Sequence, residues 1–218
     1  MKCFEFPIVD TMSAYFFAPI RDKKDIIRIL INSLKYISSI SPQKSLPAFN
    51  DKIILYINKM SRIFYVSDKK LFSIQLPFTI IDDVDGFDII HKATDISINS
   101  KTTSFFLSVL ERTYENDIET LDDFYTIFIE ELEAFEIDFS ENNSYWTVIK
   151  YLWTFEPGYL RYDIDQEHEN GHIHPVNHLD IFYSNANTFK LGLQTEIDID
   201  YFIDILNTST NSKYIVNA

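Results

Sequence analysis

Apolar residues recur at two different periods along this chain, and the change comes near residue 158. In the first part the spacing is three or four. Ile27, Leu30, Leu34 and Ile37 predict a helix over 22–39, with Asp22 as its cap and Asp25 in its first turn. Pro42 and Pro47 mark a connection, and Ile53, Ile57, Met60 and Phe64 predict a second helix starting at Asn50. Short strands are expected over 64–66 and 71–76, around a turn at 67–70. Residues 82–88, DDVDGFD, read as a turn. They are not a calcium loop, because the twelfth position after Asp82 falls on Ala93. Helices are then predicted over 103–115, 121–136 and 144–155. Thr120 caps the second of these, and Leu121, Phe124, Phe128, Leu132 and Phe135 form its stripe. Trp146 and Trp153 lie seven apart on the third and read as packing residues.

After Pro157 and Gly158 the pattern alternates. Residues 159–164, 178–184 and 188–193 predict strands, the last two joined by a turn at 184–187. Asp198 caps a final helix that turns Ile199, Phe202, Ile203 and Leu206 inward. The expected class is α+β, with a helix-rich N-terminal part, a C-terminal antiparallel sheet and a final helix. Residues 1–157 form the mostly helical part with short strands. Residues 158–218 form the sheet and last helix, packed with the first part as one compact unit.

Composition narrows the function classes. The chain has 218 residues, 46% of them hydrophobic, which is enough for a sizeable core. No apolar run is long enough to span a membrane. The segment MKCFEFPIVD lacks the features of a secretory signal, which predicts a cytoplasmic protein. Cys3 is the one cysteine, so neither an internal disulfide nor a cysteine-based zinc site can form. The four glycines cannot make a P-loop or a dinucleotide fingerprint, and no cofactor is expected.

The net charge of −14 is unevenly spread: residues 1–70 are net +6 and residues 111–141 net −11. Nonspecific duplex binding is disfavoured, because it needs cations to neutralise phosphates. The acidic block suits a solvated helix face. It also suits a docking surface for a basic protein partner, or a nucleic-acid mimic, built on Glu130, Glu131, Glu133 and Glu136.

Four of the five histidines, His168, His172, His174 and His178, lie within HENGHIHPVNH. Alternation puts Arg161 and Asp163, His178 and Asp180, and Lys190 on one sheet face, with His174 at its rim. Histidines oriented by carboxylates, with Arg and Lys to hold an anion, suit acid–base chemistry on a phosphodiester. The same set also suits a solvated polar face, a plain binding surface for a charged ligand or partner, or a metal site. For a metal, His172, His174 and His178 would be ligands, with Asp163 or Asp180 as the fourth. H-x-H-P-x-x-H is not a usual zinc spacing, and no metal is expected.

The segment 158–193, followed by Asp200-Tyr201-Phe202-Ile203-Asp204, resembles an uncharacterised bacterial family with an R-[FY]-D-x-D segment and an H-P-x-x-H-L segment. The matches are Arg161-Tyr162-Asp163-Ile164-Asp165, His174-Pro175 and His178-Leu179, over about the last quarter of the chain. The resemblance implies a toxin–antitoxin or phage-defence setting, with an antitoxin or other protein as a partner. It favours His174 and His178 over His168 and His172. The resulting expectation is RNA or another phosphodiester as ligand, with His178, His174, Asp180 and Asp163 catalytic. Arg161, Lys190 and Tyr162 would bind it.

Overall fold

The computed structural model describes residues 2–40, 51–57, 61–83, 86–116, 120–171, 173–184 and 189–215. It is an α+β protein; the described residues form six α-helices, a seven-stranded antiparallel sheet and a small three-stranded sheet. The chain divides into two compact units: 1–22, 42–76 and 157–218 form one, and 23–41 with 77–156 the other.

The first unit is built on the large sheet. Its strands are β1 (Lys2–Pro7), β2 (Lys52–Ile57), β3 (Arg62–Val66), β4 (Lys70–Gln75), β8 (Leu160–Ile164), β9 (Asn177–Asp180) and β10 (Leu191–Gly192), in that spatial order. Strands β5 to β7 belong to the second unit. β4, from before Pro157, and β8, from after it, are direct neighbours in this sheet.

The helix predicted from Asn50 does not form. Residues 52–57 are β2, and 58–60 lie outside the described residues. Ile53, Ile54, Leu55 and Tyr56 are all buried, so both faces of the strand are covered. A strand buried on both faces loses its alternation, and a short apolar run then fits a helix stripe equally well.

One face of the sheet carries Ile54, Tyr56, Phe64, Leu71, Tyr162 and Leu179, packed against Phe202 of α6 (Ile199–Leu206). Asp198 caps α6 by accepting from the Tyr201 amide. On the other face Tyr65 stacks on Phe72 with ring centroids 4.2 Å apart. Phe16 of α1 (Asp10–Phe16) and the following Phe17 close over that stack. The chain returns to the sheet through Gly158, whose φ of +51° is a left-handed conformation that glycine adopts without strain. Buried Arg62 donates to the Gly158 carbonyl and, at 2.9 Å, to Ser73 Oγ. Burial pulls its guanidinium down to about 10.

The second unit contains α2 (Lys23–Ser39), the sheet β5 (Thr79–Asp83), β6 (Gly86–His91) and β7 (Ile96–Ser97), and the helices α3 (Ser100–Glu115), α4 (Leu121–Ala134) and α5 (Asn142–Thr154). The predicted turn at 82–88 is largely strand, and residues 84–85 lie outside the described residues. Thr120 caps α4 as expected. Trp146 packs on Phe124, Tyr125 and Phe128, and Trp153 on Phe124. The acidic face is partly internal. Arg112 pairs with Glu130 at 2.5 Å and with the buried Glu131 at 2.8 Å. Glu131 is therefore not part of a solvated surface.

Candidate functional site

The site lies on the sheet face opposite α6 and follows from strand register. Residues directly opposite across an antiparallel pair share a face. Phe72 faces Arg161, and Arg161 faces Asp180. In the next row Lys70 faces Asp163, Asp163 faces His178, and His178 faces Gly192. The alternation of β8 and β9 thus gathers the predicted cations, carboxylates and histidine into two adjacent rows.

Arg161 ties the carboxylates together. Its Nε donates to Asp163 Oδ2 at 2.7 Å, Nη2 donates to Asp180 Oδ2, and Nη1 donates to the Tyr159 hydroxyl at 3.4 Å. Burial works against the guanidinium charge, but Tyr159, Asp163 and Asp180 together hold it above its ordinary range. Burial lifts the Tyr159 hydroxyl to about 12. Asp163 is desolvated as well. Its contact with His178 and the charges of Arg161 and Lys70 outweigh that cost and hold it below the usual carboxylate value. Lys70 is depressed by burial, despite the nearby Asp163 and Asp180.

His178 is almost wholly enclosed, with 1% of its surface exposed. Its Nδ1 lies 2.8 Å from the Pro175 carbonyl oxygen, which can only accept, so the proton of the neutral ring sits on Nδ1. Nε2 presents a lone pair when the ring is neutral and a proton to Asp163 when it is charged. Lys190 Nζ lies 2.8 Å from it and 3.1 Å from each Asp180 oxygen. Asp163 Oδ2 and Asp180 Oδ2 are 3.5 and 3.9 Å from the same nitrogen. Lys190 reaches this point although β10 is limited to residues 191–192, shorter than the strand predicted over 188–193.

His174 stands at the rim, its ring 4.7 Å from the His178 ring and nearly perpendicular to it. A small reversal holds it there: the Asn170 amide donates to the His174 carbonyl and the His174 amide to the Asn170 carbonyl. Its Nε2 is 3.4 Å from Asp165 Oδ2 but makes no hydrogen bond among the described residues. Burial, Lys190 and His178 depress its protonation, and Asp165 partly opposes them. Asp165 also takes His168 Nδ1 at 3.1 Å.

Six of the seven predicted residues are therefore neighbours: Arg161, Asp163, His174, His178, Asp180 and Lys190. Tyr162 is not with them. It is buried on the α6 face, where its hydroxyl contacts Asn177 and accepts from the Ile197 amide. It cannot touch a ligand bound on the opposite side. His172 and the turn residues 185–187 lie outside the described residues. Sequence reasoning missed Lys70, Tyr159 and Asp165. Asp165 stands in the matched R-Y-D-I-D segment, and Lys70 requires the pairing of β4 with β8, which no local pattern announces.

Asp163, His178 and Asp180 offer ligand atoms within 4.8 Å of one another, enough to surround a metal ion. The surrounding charge opposes one. Lys70, Arg161 and Lys190 already face Asp163 and Asp180 and compete with any ion for their oxygens. Three cations converging on one face also offer contacts to an anion. No protein-family model, curated protein or solved structure matches the chain. None of the described helices is long and apolar enough to cross a membrane.

Proposed function

We propose that this face binds and cleaves RNA without a metal ion. The observation that carries the reading is the placement of His178. Its Nδ1 lies 2.8 Å from the Pro175 carbonyl oxygen, and its Nε2 lies 2.8 Å from Lys190 Nζ, beside Arg161 and two carboxylates. A phosphodiester attracts Lys190 and Arg161, and Lys190 moving to it uncovers Nε2. His178 takes the proton of the ribose 2′-hydroxyl, and the 2′-oxygen bonds to phosphorus. The bond from phosphorus to the 5′-oxygen breaks, and His174 supplies the proton to that oxygen. The products are a 2′,3′-cyclic phosphate and a 5′-hydroxyl. Asp163 and Asp180 hold Arg161 and Lys190, and the Asp165 carboxylate favours the charged form of His174. The test is cleavage of a labelled RNA oligomer in a chelating buffer, with His178→Ala and His174→Ala as controls. Full cleavage by either variant removes the assignment.

The resemblance of the 158–193 segment supports a setting in bacterial toxin–antitoxin or phage-defence systems, in the cytoplasm, with a protein partner that restrains the activity. The rival reading is an interaction protein that uses the acidic 111–141 surface. Its testable residues are the exposed Glu133 and Glu136, because Glu130 and Glu131 are paired with Arg112.

A further inference from the structure

We infer that Phe182 and Phe189 form a base-stacking platform beside the charged cluster, so that the ligand is single-stranded RNA rather than a phosphate ester lacking bases. The inference rests on the phosphodiester reading above. Both side chains are about half exposed, at 48% and 52%. Their ring centroids are 5.7 Å apart at an interplanar angle of 70°, so the edge of one ring covers one face of the other, and about half of each side chain stays exposed to a partner. Phe189 directly precedes Lys190, whose ammonium reaches His178 and Asp180. Phe182 follows Asp180 by two residues. Two adjacent residues thus supply an open aromatic face and a cation. A nucleotide needs both, one for the base and one for the phosphate.

Charge selects the occupant. A chain of net −14 repels polyanions, and this face is where Lys70, Arg161 and Lys190 converge and can receive a phosphate. A duplex hides its base faces and cannot stack on exposed rings. An unpaired strand offers them.

The experiment measures binding by fluorescence anisotropy with two labelled six-nucleotide 2′-O-methyl strands, which cannot be cleaved. One carries bases and the other is abasic. The unmodified protein is expected to bind the base-bearing strand about 5- to 150-fold tighter, the range that one stacked base supplies. Phe182→Leu with Phe189→Leu is expected to remove this preference, leave the weak abasic binding intact and keep the thermal midpoint. Equal binding of both strands by the unmodified protein overturns the platform but leaves the phosphodiester reading standing. Binding of neither strand overturns both. A preference that survives the double substitution also overturns the platform. So does a dimer that the substitution dissociates, since the rings would then be a self-interface.

Discussion

Lys190 Nζ sits 2.8 Å from His178 Nε2 and 3.1 Å from each oxygen of Asp180. One ammonium therefore caps the lone pair of a buried imidazole and neutralises a carboxylate beside it. Its four-carbon stem lets the charge move to a bound phosphate without moving the strand. Lys190→Met keeps most of the volume and removes the charge. Initial-rate kinetics on RNA should show kcat/KM lowered about 10- to 100-fold, a loss of about 1.4–2.7 kcal/mol of transition-state binding. An unchanged kcat/KM contradicts the role given to Lys190.

Gly192 supports His178 from the neighbouring strand. A Cβ added to Gly192 would meet Pro175 Cγ at 2.8 Å, and the Pro175 carbonyl is the group that fixes His178 Nδ1. The strained contact must be relieved by movement of Pro175. Gly192→Ala is therefore expected to lower kcat at least about tenfold through misplacement of the imidazole. Its thermal midpoint should fall by only a few degrees, about 1 kcal/mol. Parallel melting and kinetic measurements separate the two effects.

Arg161 is the electrostatic keystone of the two rows. Removing it leaves the half-buried Asp163 and the buried Asp180 with one strong partner fewer each. Arg161→Met should cost about 2–3 kcal/mol in urea unfolding, near the lower end for a broken buried pair because the guanidinium is partly solvated. Adding Asp180→Asn to Arg161→Met should recover part of that loss. A double variant less stable than the single one would contradict the pairing.

The pH response follows from His174. The fold depresses its protonation below the ordinary value of 6.5. As the acid it works only when protonated, so cleavage should fall as pH rises through this depressed value. Asp165 favours the charged ring, so Asp165→Asn should move the falling limb further to the acid side. Stability runs the other way. The neutral ring is favoured by folding, so its contribution is intact above pH 6.5 and is lost as pH drops through the folded value. A pH–rate profile of both proteins checks the shift.

Much of this site was legible because strand alternation does not depend on knowing the partner strand. Arg161 and Asp163, and His178 with Asp180, could be assigned to a common face from a period of two. Helices with clear stripes and caps, such as α2, α4 and α6, were equally legible. The failures share one cause. In β2 four consecutive apolar residues are buried on both faces and carry no period. β1 needs its partner β2 to be recognised, and β5 with β6 was concealed by the acidic DDVDGFD run. Lys70 joins the site only through the pairing of β4 with β8 across about ninety residues of chain. Tyr162 shows the opposite error: proximity in a motif counted for more than the alternation that turned it away.

The most direct test is the fate of a 5′-labelled RNA oligomer incubated with the protein in excess EDTA, with products separated and their ends identified. The account predicts fragments ending in a 2′,3′-cyclic phosphate, and a rate at least about a hundredfold lower for His178→Ala. Fragments that appear only when a divalent cation is restored, or an equal rate from His178→Ala, would contradict it.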